Sequence, residues 1–310
     1  MAIVYFGNGF VDEADARIPI TTHALHYGTA VFEGIRSYGD GMSAALFRPH
    51  DHYERLLRNA AWLEMKPRWD SAALTNLTIE LLRRNRFFDD RYIRPLMYKT
   101  SQTIGAGLPD GDALAIVTVP MPRGPVLRPA ARATWSKWRR FPAAACPAGA
   151  KITGLYVNSS LARADGLARG YDQPILLNMA GDVAEGYGAN IFVVHGHHVA
   201  TPPLEADILG GITRDALLRF FGEQSDVSVS TDPLSPADLL RADEVFLCGT
   251  GMEIQPIREI EGRTIGDGTG HGPCLRRAAD WYRRIVAGEA NTPTGWLVPV
   301  NPTFPASSVP

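Results

Sequence analysis

The stretch PMPRGPVLRPAARA, Pro120 to Ala133, carries four prolines and one glycine in fourteen residues. Each proline fixes φ and removes a backbone N–H, so neither a helix interior nor a central strand accommodates the segment. It divides the chain into two parts that must each build a core. With 310 residues, 45% of them hydrophobic, there is material for both. The expected organisation is a small N-terminal domain over 1–121, an interdomain loop over 122–133 and a large domain over 134–310. A Pro-rich tail after Trp296 is expected as a surface extension.

Each part mixes strand and helix signals, so the expected class is α+β. In the first, AIVYF and GNG read as a strand entering a hairpin, and HALHYGTAVFEGIRSY as sheet with irregular joints. Helices are expected from Pro49 to Leu63 and from Ser71 to Arg86, the second with Leu74, Leu77, Leu81 and Leu82 apolar. RYIRPLMYKT and ALAIVTVPM read as strands. In the second part TWSKWRRF reads as a strand, and Tyr156 to Ala168 as a helix ended by Gly170. PILLNM, GDV and AEGYGANIFVV make a strand, a turn and a strand. ILGGITRDALLRFFGE is a glycine pair opening a helix. EVFLCGTGMEIQPI is a strand, a bend and a strand, and GPCLRRAADWYRRIVAGEA a closing helix.

The net charge of −2 provides no footprint for nucleic acid and no polybasic membrane signal. No apolar run approaches spanning length, and MAIVYFGNGF has neither a basic leader nor a signal core. Cys146, Cys248 and Cys274 are far apart and read as reduced thiols, not metal ligands, so a soluble cytoplasmic protein is expected. HGHH, His195 to His198, reads as a hairpin tip ahead of a metal cluster.

Chemistry concentrates in the second part. GGITRD sets two glycines before a helix start, where N–H groups and the dipole favour an anion and Thr213 adds a hydroxyl. GTG, Gly249 to Gly251, follows a strand and presents a second bend of this kind. Glu185 is an acid inside a strand-like segment, which needs a cationic partner or a shifted pKa. The chain has only four lysines, Lys66, Lys99, Lys137 and Lys151. Lys151 stands among small and apolar neighbours, where an amine, unlike a guanidinium, can lose its proton and condense with a carbonyl. Carbonyl, phosphate and ring nitrogen together describe pyridoxal phosphate. The plainer alternatives are glycine turns, an arginine partner for Glu185 and a surface lysine.

Seven stretches in chain order carry a resemblance: THALHYGTAVFEGIR, RLLRNA, YIRPL, AK with Tyr156 five residues on, AEGYGANIF, GITRDA and ADEVFLCGTGMEIQP. Together they resemble the fold-type IV pyridoxal-phosphate enzymes (D-amino-acid and branched-chain aminotransferase-like fold), most closely the bacterial branched-chain amino-acid aminotransferases. The resemblance implies that Lys151 forms the Schiff base and shuttles the proton between the substrate α-carbon and C4′. It implies that Glu185 keeps the pyridine nitrogen protonated and that Tyr156 bonds the phenolic oxygen. Arg55, Ile212, Thr213 and Thr250 would hold the phosphate. Tyr92 and the backbone at Thr250 and Gly251 would receive the α-carboxylate, while Arg94 would take a distal carboxylate. Tyr27 and Phe32 would line the pocket, Tyr27 from the neighbouring subunit of a homodimer.

One departure stands in the proline-rich loop. Where the family carries a tryptophan and then a tyrosine facing the substrate, this chain has Arg123 and Val126. Arg123 pointing inward would disfavour an aliphatic substrate and suit a polar or acidic one. The expected activity is ping-pong exchange between an L-amino acid, branched-chain, hydrophobic or glutamate, and a 2-oxo acid. The competing readings are a lyase of the same fold acting on aminodeoxychorismate, a D-amino-acid transaminase, and a non-catalytic binder of phosphate ligands.

Overall fold

In the computed structural model of the chain, residues 2–302 and 304 are described, so Thr303 and 305–310 of the expected tail lie outside the described residues. The chain divides into two compact units. The first comprises 1–123, 151–154 and 283–310, and the second 124–150 and 155–282. The break after Arg123 falls inside the expected loop. The expected single run 134–310 does not hold, because two of its stretches belong to the first unit.

In the first unit β1 (Ile3–Phe6) and β2 (Gly9–Asp12) form the expected hairpin, with Phe6 opposite Gly9. HALHY departs from the expected sheet and forms the short helix α1 (His23–Tyr27). The turn is closed locally: Gly28 N donates to Ala24 O at 3.0 Å, and His23 Nδ1 lies 2.7 Å from Thr29 Oγ1. β3 (Ala30–Phe32), β4 (Ile35–Gly39) and β5 (Ala44–Phe47) follow. Helix α2 (Pro49–Trp62) starts on its proline, and α3 (Ser71–Asn85) is capped by Asp70, which accepts from Ala73 N at 2.7 Å. Long strands β6 (Arg91–Lys99) and β7 (Asp112–Pro120) pair along their whole length.

The second unit opens with β8 (Ala131–Arg139), whose first residues lie in the expected loop. Helix α4 (Tyr156–Ala168) matches the expected span. β9 (Gln173–Leu177) precedes β10 (Val183–Gly186) and β11 (Asn190–His195), so AEGYGANIFVV is two strands separated at Tyr187–Ala189 instead of one. β12 (His198–Ala200) turns back on β11 with His195 opposite His198, which makes HGHH a hairpin. Then come α5 (Ile212–Gly222), β13 (Ser228–Ser230), α6 (Pro236–Leu240), β14 (Glu244–Gly249), β15 (Glu253–Ile260) and β16 (Arg263–Thr264). The unit boundary falls within α7 (Pro273–Val286).

Each unit is organised on one sheet. The second unit's sheet runs β10-β9-β8-β15-β14-β11-β12-β13 with β16 on β15, and mixes parallel and antiparallel pairs. Ile191, Val193, Val245, Leu247 and Ile257 build its core. The first unit's sheet is antiparallel, β5-β4-β6-β7-β1-β2 with β3 on β6, and is extended beyond β5 by β17 (Leu297–Pro299). This overturns the expected surface tail over its described residues: Leu297, Val300 and Phe304 are buried, and Arg83 Nε donates to Val300 O at 2.6 Å. Burying three apolar side chains outweighs ordering a short segment that already carries two prolines. No helix among the described residues is long and apolar enough to cross a membrane.

Candidate active site

In the first unit the site residues hang on the joint between β3 and β4. Phe32 N donates to Lys151 O at 3.1 Å, and Ile152 bridges Val31, so the backbone of the lysine is pinned to β3. Thr153 Oγ1 adds a bond to Gly28 O at 2.8 Å. Lys151 Nζ then stands 5.0 Å from the centre of the Phe32 ring. Arg94, on β6, lies 4.6 Å from that ring and donates through Nη2 to Tyr92 Oη at 3.0 Å. Arg94 Nε is buried with no hydrogen-bond partner among the described residues. Tyr92 reaches this place because residue 34 is glycine: a Cβ there would stand 2.0 Å from Tyr92 Oη.

The intervening residue, Glu33, was quoted within a motif but given no role from sequence. It is fully buried, and Arg55 of α2 grips it with Nε 2.6 Å from Oε1 and Nη2 2.9 Å from Oε2. His52 Nδ1 lies 2.8 Å from the same Oε2. Burial pushes the Glu33 carboxyl up, but the Arg55 charge and the bonds from Arg55 and His52 outweigh it and hold the group ionised. Burial also lowers His52; its bond to Glu33 opposes this, and the charges of Arg55 and Lys151 add to the fall. Tyr27, at the end of α1, is exposed and its hydroxyl accepts from Gly105 N at 2.8 Å.

Arg123 does not present an unpaired charge. Its N and Nε donate to Asp90 Oδ2 at 2.9 and 2.8 Å, and its Nη2 donates to Gly39 O at 3.0 Å. Asp90 Oδ1 in turn accepts from Gly39 N at 3.0 Å, so the guanidinium serves to hold the end of β7 to the end of β4. The expectation that this arginine selects for an acidic substrate loses its physical basis. Val126 is exposed in the second unit.

In the second unit Glu185 lies in β10, buried as the sequence required. An arginine partner is present: Arg140 Nε is 3.2 Å from Oε1. Oε2 accepts from Asn190 Nδ2 at 3.0 Å and Leu209 N at 3.2 Å. Arg140 also donates to Ala148 O at 3.1 Å and Asp207 O at 3.2 Å. Neither Arg140 nor Asn190 was singled out from sequence; the Arg pair in WRRF was the available sign of the first. Asn190 Oδ1 would lie 1.9 Å from a Cβ on residue 211, so Gly211 is needed for the helix start to approach Glu185. Helix α5 begins there with no side-chain cap, and Ile212 and Thr213 of its first turn are buried. Thr250 and Gly251 form the turn from β14 to β15, and Tyr156 opens α4.

These donors fit pyridoxal phosphate. The first unit supplies an amine beside an aromatic face and a buried arginine. The second supplies a fixed carboxylate and an eleven-residue helix whose N-terminus has no side-chain cap. A lysine for the aldehyde, a carboxylate for a cationic ring nitrogen and an anion site for the phosphate are what this cofactor demands.

The pattern of the amino-transferase class IV family matches residues 30–260, and the chain belongs to that family. It is a pyridoxal-phosphate-dependent aminotransferase of fold type IV. It is 38% identical over 303 residues, 97% of each chain, to a probable branched-chain-amino-acid aminotransferase of Aquifex aeolicus (strain VF5). The branched-chain aminotransferase of Thermoproteus uzoniensis, solved with norvaline, superposes with a TM-score of 0.90 at 37% identity, covering 97% of this chain and 99% of that one. The branched-chain amino acid aminotransferase from Thermobaculum terrenum, solved in its PLP-form, also gives 0.90, at 30% identity, covering 96% of this chain and 98% of that one.

Proposed function

We propose that the enzyme exchanges the amino group between L-amino acids with branched or other hydrophobic side chains, or glutamate, and their 2-oxo acids, in two half-reactions of a ping-pong cycle. The observation that carries this reading is Arg94 lying over the Phe32 ring beside Lys151, its Nε buried with no hydrogen-bond partner among the described residues. An aromatic wall with a cation on it accepts an aliphatic chain by burial and a distal carboxylate by charge. The names of the relatives point the same way.

When bound, the cofactor supplies an aldehyde carbon and a ring that accepts the electrons released at the substrate α-carbon. The protein's part is positional and acid–base. Lys151 would hold the cofactor's aldehyde, and its amine would take and return the proton at the substrate α-carbon. Glu185, paired with Arg140, would favour a proton on the ring nitrogen. Tyr156 would bond the phenolic oxygen. Arg55, Ile212, Thr213 and Thr250 would be the residues to hold the phosphate. Tyr92, with the backbone at Thr250 and Gly251, orients the α-carboxylate. Phe32 lines the side-chain pocket.

We also propose a homodimer in the cytoplasm, with Tyr27 completing the neighbouring pocket. Ile18, Ile20, Leu25, Tyr27, Ile104 and Leu108 are all exposed, and hydrogen bonds from Thr21 Oγ1 to Gln102 Oε1 and from Gly105 N to Tyr27 Oη join the two segments. Such a patch suits a subunit interface. Sedimentation of the full chain would show a dimer; a monomer at micromolar concentration contradicts this.

The substrate reading is tested by adding single L- and D-amino acids to the loaded enzyme without acceptor and following its visible band. L-Leucine and L-glutamate bleach it, the D-enantiomers do not. Arg94→Leu lowers kcat/KM for glutamate by roughly 10- to 100-fold and leaves leucine within about threefold. Equal losses for both substrates would remove Arg94 from the reading. Arg123→Ala is expected to leave the leucine-to-glutamate ratio unchanged.

A further inference from the structure

We propose that Glu33, seconded by His52, is the positioning residue that aims Arg55 at the cofactor phosphate; this rests on the reading of Arg55 as a phosphate ligand.

Arg55 projects from the middle of α2, and an arginine there would ordinarily be free to rotate about its whole stem. Glu33 removes that freedom by a two-point grip, Nε to Oε1 at 2.6 Å and Nη2 to Oε2 at 2.9 Å. A planar guanidinium held at two of its five N–H directions has the other three fixed as well. His52, one helical turn before Arg55 on α2, bonds Oε2 at 2.8 Å and so prevents the carboxylate from rotating in its turn. Glu33 N donates to Pro95 O at 3.0 Å, which ties its backbone to β6. The chain therefore buries a carboxylate to immobilise a cation, an arrangement that apolar side chains of equal volume would replace if stability were its use. Its gain is an anion-binding arm that needs no ordering when the phosphate arrives.

The discriminating probes are pyridoxal phosphate and pyridoxal, which share the aldehyde and ring but differ in the phosphate. Full-length enzyme, freed of cofactor through its pyridoxamine phosphate form, is titrated with each and the visible band read. Glu33→Gln is expected to weaken pyridoxal phosphate by about tenfold or more and pyridoxal by less than about twofold. Arg55→Lys has the same phosphate-selective effect, and the double variant is no weaker than Arg55→Lys alone. Equal weakening of both probes by Glu33→Gln, no weakening, or additive losses in the double variant overturns the proposal. Equal weakening of both probes by Arg55→Lys instead overturns the underlying reading of Arg55. Should Glu33→Gln fail to fold, His52→Gln decides. It leaves the ion pair intact, and a phosphate-selective loss of about two- to fivefold supports the role, while unchanged affinity for both probes refutes it.

Discussion

Lys151→Ala is expected to abolish transamination, lowering the single-turnover rate with L-glutamate by about 10⁴-fold or more, because both the covalent anchor and the proton carrier vanish together. The fold should survive. The backbone bonds at this position run through Lys151 O and through Ile152, Thr153 and Gly154, none of which needs the side chain. The variant should melt within a few degrees of the parent and still bind pyridoxal phosphate, by its phosphate and ring contacts, without the visible band of the covalent form. Retention of that band in Lys151→Ala would show that another amine holds the aldehyde, and would send the assignment back to Lys66, Lys99 and Lys137.

Glu185→Gln carries the second large effect, and it should strike activity and stability at once. Activity falls by about 10²–10³-fold, since a neutral amide leaves the ring nitrogen unprotonated and a poorer acceptor of electrons. Stability falls by about 1–3 kcal/mol, because Arg140, mostly screened from solvent, loses its charged partner and keeps only the carbonyls of Ala148 and Asp207. Urea unfolding measures the second effect and stopped-flow absorbance of the half-reaction the first. Arg140→Gln separates them: it shares the stability loss while retaining the carboxylate. Were Glu185→Gln to unfold more readily yet turn over at the parental rate, Glu185 would be a structural acid only.

Much of this was legible because the determinants are local. The span of α4 was readable end to end from its composition. The acid in β10 and the glycine pair ahead of α5 announced themselves as misfits in their own segments. What escaped depended on partners far along the chain. Arg55 and Glu33 are separated by 22 residues, and Arg123 and Asp90 by 33. Nothing in the sequence near Arg123 shows that its charge is already matched. The same holds for β17, whose partner β5 lies some 250 residues earlier. Its prolines suggested a free end, and only the pairing reveals why Trp296 and Val300 are apolar. Helix α1 escaped for the opposite reason, being too short for its period to register.

Phe32, Glu33 and Gly34 are consecutive, and each holds a different part of the machinery: the lysine backbone, the arginine and the ring of Tyr92. Three parts mounted on one short rail share its motion. The tolerance of the enzyme to temperature and to remote substitution should therefore be set by this tripeptide's internal geometry. A one-residue insertion here would put three alignments out of step at once, where the same insertion in the loop at Gly41 would disturb none of them.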